Sequence, residues 1–292
     1  MRAETPGARG QSDEPRGEGR KAADATISVG DAELELLPFE SRYPRYLADP
    51  RRPRMGGAVG RTLGPAVSGA SQSRIFLDLG ASRSFLELRP KKTSKHALQL
   101  DVQAAIFTQF DMAEQLDSIG WDGWYAFHTS WDTGTPFVFR LGLRHLSAHL
   151  GDEYEEKTGT RRRGYTREDV SLGAAYRFSP GSAMYVEYGH GYHLGSPDTQ
   201  RRSLIEYGIT HDSQGLWLGG TTGYYAGIHV KQFQENGFDP DVSGQLGLVF
   251  RRADDGVKVR VPAVELYTGR AILGEMAEER ESYVSFGVWL DF

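Results

Sequence analysis

The sequence predicts an all-β protein: a single closed antiparallel transmembrane β-barrel of about 12 strands with a disordered N-terminal tail. In the last ten residues, apolar side chains occupy every second position, which places them on one face of a strand. These side chains are Val284, Phe286, Val288, Leu290 and Phe292. Similar segments recur along the chain between clusters of turn-forming residues. Short and long connections alternate between these segments, as a barrel with turns at one end and loops at the other requires.

The composition agrees with a barrel in which only alternate side chains face lipid. Aromatic residues make up 11% of the chain and apolar residues 39%, and there are 36 glycines. No stretch reaches the roughly 18–20 apolar residues that a membrane-spanning helix needs. The chain contains no cysteine, which excludes disulfides and thiolate chemistry. The net charge is −5, so the chain lacks the overall excess of positive charge that is typical of nucleic-acid-binding proteins, and no nucleic-acid partner is expected.

The chain divides into three parts. Residues 1–25 are rich in Gly, Arg, Glu and Ala, and we expect a disordered tail there. This tail lacks the apolar stretch of a signal peptide, so we expect that a signal was removed or that the start is misassigned. The alternative is a protein that does not cross a membrane. Residues 26–54 alternate weakly and then become rich in Pro and Arg, which predicts a periplasmic or plug segment. Residues 55–292 form the predicted barrel.

Twelve barrel strands follow from the alternation of apolar and polar side chains. We predict them at 55–63, 73–89, 96–110, 118–131, 136–150, 166–178, 182–193, 202–211, 216–232, 241–251, 257–269 and 281–292. Pro262 and a change of phase near Ser82 to Phe85 predict β-bulges. Ile119, Trp121 and Trp131 alternate onto one predicted outward face. The two tryptophans are ten residues apart, which on a tilted strand spans roughly 25 Å, the height of a barrel's apolar band between its aromatic girdles.

The connections predict the orientation of the barrel. With the carboxyl end in the periplasm, the short connections lie inside, at 132–135, 179–181, 212–215 and 252–256. The longer, charged connections lie outside, at 151–165, 194–201, 233–240 and 270–280. A soluble β-sandwich or propeller is the alternative, but neither needs this alternation. The bacterial outer membrane is therefore the expected location, with outer-membrane lipid and the barrel-assembly machinery as expected partners.

A polar cluster lies where strand 136–150 meets the longest predicted loop. His145, Ser147 and His149 share the lipid-facing face, whereas Arg140 and Arg144 point into the lumen. Polar groups on a lipid-facing surface are costly away from the interface. Residues two apart on a strand lie about 7 Å apart at Cα, so an imidazole can take the proton of the serine hydroxyl. The alternative is that these side chains are merely solvated by lipid headgroups and loop.

The His-x-Ser pair on an outward barrel face resembles the catalytic pair of outer-membrane phospholipase A and of lipid A 3-O-deacylases. This resemblance implies that Ser147 is the nucleophile and His145 the base. The sequence fixes no orienting acid or amide, and Glu153 and Asp152 are the candidates for that role. The phospholipase pattern continues Ser-Asn-Gly, whereas this chain continues Ser147-Ala148-His149.

Charged residues near the same end are candidate ligand-binding groups. Arg161, Arg162 and Arg163 would pair bidentately with the phosphates of lipopolysaccharide. Three further residues complete the candidate set: Arg144, His149 and Asp152. The alternative is an exposed loop in which acidic and basic side chains balance.

No resident cofactor and no metal site are expected. His145 and His149 lie about 13 Å apart on a strand, which is too far to share one ion. The acidic run that follows could bind calcium, although it lacks the pattern of an EF-hand loop. This run comprises Asp152, Glu153, Glu155 and Glu156.

Four segments resemble a bacterial family called domain of unknown function 1207. They are the Pro- and Arg-rich entry at 44–54, the strand at 105–111, the His run at 145–153 and the Asp-Pro-Asp-Val sequence at 239–242. The resemblance covers about residues 35–292 and implies an outer-membrane barrel without an assigned activity. We therefore expect a structural protein or one that binds lipid or a small ligand. A lipid esterase or deacylase and a narrow passive channel are the alternatives.

Overall fold

The computed structural model describes residues 26–38, 40–91, 95–213, 215–251 and 257–291, so the predicted tail at 1–25 lies outside the described residues. Its strands are β1 (Thr26–Val29), β2 (Ala32–Leu36), β3 (Met55–Thr62), β4 (Ser73–Pro90), β5 (Ala97–Asp111), β6 (Asp117–Asp132), β7 (Phe137–Leu150), β8 (Thr166–Ser179), β9 (Ser182–Leu194), β10 (Ser203–Asp212), β11 (Thr222–Phe233), β12 (Pro240–Arg251), β13 (Lys258–Arg270) and β14 (Arg280–Asp291). One α-helix, α1 (Asp152–Thr158), and three short 3₁₀ helices complete the regular structure of these residues. Within the described ranges, no helix is long and apolar enough to span a membrane.

Strands β3 to β14 form a closed antiparallel barrel. Each strand pairs with its neighbour in sequence, and β14 pairs with β3 to close the ring. This confirms the predicted fold class and strand number. The predicted strand at 216–232 is the exception in length, because residues 218–220 instead form a 3₁₀ turn before β11. Gly219 and Gly220 adopt positive φ in that turn, which ends the extended conformation.

The two ends of the barrel differ in their connections. The end at which β14 finishes is also the end at which β4 meets β5, β6 meets β7, β8 meets β9, β10 meets β11 and β12 meets β13. We call this end the turn end. The opposite end, which we call the loop end, holds 63–72, 112–116, 151–165, 195–202, 234–239 and 271–279. The longest connection, which contains α1, therefore joins β7 to β8 at the loop end.

The outside of the barrel is apolar and the inside is polar. Leu141 and Leu143 on β7 are 51% and 52% exposed, whereas Arg144 on the same strand is 5% exposed. Asp122 on β6 and Glu187 on β9 are completely buried in the lumen. A barrel that folds in water places apolar side chains inside, so the distribution here is the reverse of that expected for a water-soluble protein.

Bulges adjust which residues face outward. The pairing changes register at Ser84 to Leu86 on β4 and at Arg260 to Ala263 on β13, which confirms the two predicted bulges. A third shift, between β5 and β6, leaves Ile119 without a direct partner. Ile119 is consequently buried under the loops, although its alternation with Trp121 predicted that it would face outward.

The segment 40–54, which follows the hairpin β1–β2 and precedes β3 in the sequence, fills the interior of the barrel. The hairpin joins the sheet at the turn end, where β2 pairs with residues Leu86 to Pro90 of β4. The chain then enters the lumen, where Tyr43 and Tyr46 pack against β7, β8 and β9. Leu47 packs against inward side chains of β3, β11, β12, β13 and β14. These contacts place the segment across the middle of the barrel.

Packed connections cover the loop end. Val67, Tyr154, Leu273 and Met276 come from three different connections and share one apolar cluster with side chains of the strand ends. The carboxylate of Glu275 accepts backbone hydrogen bonds from residues 163, 164 and 165 at 2.5, 2.9 and 3.1 Å. These bonds tie the connection 271–279 to the connection 151–165.

Candidate functional site

A polar strip interrupts the apolar outer face at the loop end of β7. His145, Ser147 and His149 face outward as predicted, because they continue the alternation of Leu141 and Leu143. His149 lies level with Trp121 on β6, since the two residues are direct partners in the ladder. The strip therefore lies at the height of an outward tryptophan, at the edge of the apolar band.

His145 is held between two neighbouring strands. Its partners across the ladder are Tyr125 on β6 and Glu168 on β8. The imidazole stacks on Tyr125 with ring centroids 4.4 Å apart and 15° between the planes. Its Nδ1 lies 3.4 Å from Glu168 Oε1, and Tyr192 on β9 also hydrogen-bonds this carboxylate. A carboxylate at Nδ1 favours the tautomer in which Nδ1 carries the proton and Nε2 is free to accept one.

Ser147 contacts His149 instead of His145. The serine Oγ lies 3.2 Å from His149 Nε2, and His149 stacks on Trp121 with centroids 4.0 Å apart. The expected Ser147–His145 contact is thus replaced, because both histidines lie two residues from the serine on the same face and only His145 is engaged by a carboxylate. Rotation about the Cα–Cβ bond of Ser147 directs its hydroxyl toward either neighbour.

The orienting carboxylate is also not the predicted one. Glu153 lies in α1 and points into solvent, and Asp152 pairs with Arg162. Glu168 takes this place, because the ladder puts it directly opposite His145. The outward orientation of Glu168 could be predicted from the sequence, since Glu168 continues the outward face of Val170 and Leu172. Its pairing with His145 could not be predicted, because the register between β7 and β8 depends on the length and shape of the long connection.

The predicted ligand-binding residues separate into three places. His149 belongs to the outer strip. Arg144 lies inside the barrel, where it donates to Glu187 Oε1 at 2.8 Å and also to Glu206. The remaining four belong to the connection 151–165: Asp152, Arg161, Arg162 and Arg163.

Within that connection, opposite charges lie side by side. Arg162 donates to Glu155 at 2.8 Å and to Asp152, and Arg163 lies 2.5 Å from Glu278. Arg161 is exposed in the same stretch. The binding role of these residues stays a prediction.

The lumen contains a group of side chains that could hold a metal ion. Asp49, Glu206 and His229 are buried, and one ligand atom of each lies within 4.8 Å of the others. Lys231 Nζ lies 3.1 Å from Glu206 and 3.7 Å from Asp49, so an ammonium already supplies positive charge there. His229 Nδ1 lies 2.8 Å from the hydroxyl of Tyr185, which leaves Nε2 facing the two carboxylates.

The closed twelve-stranded barrel with an apolar exterior resembles outer-membrane proteins of bacteria. The chain belongs to the family described as Protein of unknown function (DUF1207), whose model matches residues 8–292. This confirms the family resemblance found in the sequence. No curated protein matches the sequence.

Solved structures show the same fold. Outer membrane phospholipase A from Escherichia coli is similar with a TM-score of 0.53 and 12% identity, over 82% of this chain and 94% of that chain. The Salmonella typhi outer membrane phospholipase, a dimer with bound calcium, also has a TM-score of 0.53, with 11% identity over 86% of this chain and 94% of that chain. A mutant of the Rh. blastica porin matches with a TM-score of 0.36 and 9% identity, over 82% of this chain and 99% of that chain. The first two matches support the fold.

Proposed function

We propose that this protein spans the bacterial outer membrane and hydrolyses acyl esters of membrane lipid on its outer surface. The observation that carries the proposal is the position of Ser147, which lies between two histidines on an apolar outer face, with Glu168 against one of them. An imidazole held between a serine and a carboxylate activates the hydroxyl for attack on an ester, and rotation of Ser147 from His149 toward His145 would complete that arrangement here.

The membrane assignment rests on the outer surface of the barrel. Leu172, Leu246 and Phe286 lie on different strands, and each is more than half exposed. Trp121 and Trp131 face outward ten residues apart, which spans roughly 25 Å on a tilted strand and matches the height between two aromatic girdles. Long loops of such barrels lie outside the cell and short turns lie in the periplasm, so the polar strip would border the outer leaflet.

The location of the strip suits a lipid substrate. The ester groups of a membrane lipid lie between the headgroups and the hydrocarbon, and the strip lies at the corresponding edge of the apolar band. An ester could therefore reach Ser147 from the side without leaving the membrane. Escherichia coli outer membrane phospholipase A, which shares the fold, is by its name an enzyme of lipids.

Each side chain of the strip has a role in the proposed reaction. Ser147 Oγ attacks the acyl carbonyl while His145 Nε2 takes its proton, and Glu168 stabilises the imidazolium that forms. The proton then passes to the departing alcohol, and water hydrolyses the acyl-serine by the reverse sequence. His149 holds the serine hydroxyl before substrate binds. We assign the role of base to His145, because the carboxylate of Glu168 faces its Nδ1, whereas His149 has only the face of Trp121 beside it.

The filled lumen argues against a passive channel. Tyr46, Arg140 and Arg144 occupy the middle of the barrel and share the carboxylate of Glu187. The segment 40–54 would have to leave the barrel before ions could pass.

The test is an assay of purified protein in detergent micelles with phospholipid and with lipopolysaccharide as substrates. Ser147→Ala should lower kcat at least about 10³-fold. Ser203→Ala is the matched control, because Ser203 also faces outward at the loop end, and its hydroxyl lies 3.1 Å from that of Tyr188. Equal turnover by the wild type and Ser147→Ala, or no turnover of either substrate, would refute hydrolysis and leave a structural or lipid-binding role.

A further inference from the structure

A second candidate site lies at the turn end, on the opposite side of the barrel from Ser147. A cavity of about 600 Å³ opens there between the segment 38–47, the end of β4, the β8–β9 turn, β10 and β13. Cavities of a few hundred to about 1,000 Å³ are the size that small-molecule ligands occupy. The outer strip contributes no residue to this cavity.

Basic side chains outnumber acidic ones in the cavity wall. The described lining includes four acidic residues and six basic ones, the latter being Arg42, Arg45, Arg89, Arg177, Lys258 and Arg260. Several of these cations share a carboxylate instead of each having its own. Asp212, for example, lies 3.2 Å from Lys258 and 3.2 Å from Arg260, and also contacts Arg251. Two carboxylates outside the lining also pair with these cations: Asp132 with Arg42 and Arg177, and Asp291 with Arg45 and Arg260. When these carboxylates are counted together with Arg52 and Arg251, which share Asp291 and Asp212, eight basic and six acidic side chains remain, so the described wall keeps an excess of positive charge.

Arg260 provides the most specific feature of this wall. Its side chain is 1% exposed, and its Nε donates to Asp291 at 2.6 Å while its Nη2 donates to Asp212 at 3.2 Å. The guanidinium also lies over the ring of Tyr225 at 4.4 Å, so its position is fixed from three sides. Its third nitrogen, Nη1, has no acceptor among the described residues, and the hydroxyl of Thr210, elsewhere in the same wall, has no hydrogen-bond partner among them either. Buried donors without partners are costly, and an anionic ligand would satisfy them.

We propose that the turn-end cavity binds a small multivalent anion, carrying either phosphate or carboxylate groups, that enters from the turn-end compartment. The preference for an anion follows from the excess of cations, and guanidinium groups pair well with both phosphate and carboxylate. Arg177 and Lys258 are the exposed contacts, because their side chains are 37% and 33% exposed, and the buried Nη1 of Arg260 is the fixed donor in the cavity wall.

The test is isothermal titration calorimetry of the full chain in detergent micelles, with pyrophosphate and with citrate as separate probes. Binding of pyrophosphate alone would support a phosphate ligand, and binding of citrate alone would support a polycarboxylate. Binding of both would support recognition of the charge alone. Absence of heat with both probes at low ionic strength would overturn the proposal.

Two variants and their matched controls locate the site. Lys258→Gln and Arg177→Gln should each weaken binding about tenfold, because each removes one charge-assisted contact. Lys157→Gln is the control for the lysine, since Lys157 is 39% exposed and lies 3.0 Å from Glu114 at the loop end. Arg280→Gln is the control for the arginine, since Arg280 is 49% exposed and lies 3.9 Å from Asp239 at the loop end. Equal weakening by the controls would also overturn the proposal, because it would mean that surface charge anywhere on the barrel is sufficient.

Discussion

Replacement of Glu187 by Gln should destabilise the barrel far more than removal of a surface carboxylate. Glu187 is completely buried and accepts hydrogen bonds from Tyr46 at 2.8 Å, from Arg140 Nε at 3.1 Å and from Arg144 at 2.8 Å. Arg144 keeps Glu206 and Asp169 as partners, but no other described carboxylate pairs with Arg140. The variant therefore leaves one buried guanidinium without a counter-charge.

The expected loss follows from that single uncompensated charge. Breaking a buried ion pair by removal of one partner costs about 3–5 kcal/mol. A loss of about 4 kcal/mol changes the ratio of folded to unfolded protein about 10³-fold. Glu278→Gln removes the partner of Arg163 at the loop end, where the carboxylate is 53% exposed, and should cost about 0–1 kcal/mol.

Urea unfolding of the protein in lipid vesicles, followed by tryptophan fluorescence, measures both losses. The two variants should differ in the urea midpoint without a change in the slope of the transition. The double variant Arg140→Met with Glu187→Gln should recover part of the loss, because it no longer buries an unpaired charge. A midpoint for Glu187→Gln equal to that of Glu278→Gln would refute the idea that the lumenal ion pairs hold the segment 40–54 in place.

Three further predictions concern the outer strip, the outer face and the lumen. Glu168→Gln should lower kcat for lipid hydrolysis on the order of tenfold or more, because His145 loses the charge that stabilises its protonated form, and an unchanged kcat would contradict the assigned role. Leu172→Arg, in the middle of the apolar face, should cost about 2–4 kcal/mol in vesicle refolding, whereas a water-facing surface would tolerate it. Lys231→Met should allow the group around His229 to bind Zn²⁺ in a calorimetric titration that shows no binding to the wild type, and equal binding by both proteins would show that the ammonium does not exclude the ion.

The strands could be predicted from the sequence because the information is local. Alternation of side chains and the turn residues between segments placed eleven of the twelve barrel strands within one residue of their observed bounds. The start of β11 was wrong, because Leu216 and Trp217 continue the apolar pattern although the glycines after them form a turn. The orientation of Ile119 was wrong because a bulge depends on pairing with the next strand, which one segment does not encode.

The candidate site was predictable only in part for the same reason. The phase of β7 placed His145, Ser147 and His149 on one outward face, and the structure agrees. The selection of His149 as the partner of Ser147, and of Glu168 as the partner of His145, depends on contacts between strands. Both histidines lie two residues from Ser147 in the sequence, so spacing alone does not distinguish them. Their surroundings differ in the structure, where His145 stacks on Tyr125 and His149 stacks on Trp121.

Strand β7 connects the interior to the proposed site through adjacent residues. Arg144 points inward to Glu187 and Glu206, and His145 points outward to Glu168. The inward contacts fix the position of the strand, whereas the outward contacts would perform the chemistry. Because alternate side chains face different surroundings, loss of the lumenal carboxylate should reduce the amount of folded protein without changing the turnover of each folded molecule. A Glu187→Gln protein that refolds fully but has lost hydrolysis would show that the interior also controls the geometry of the outer strip.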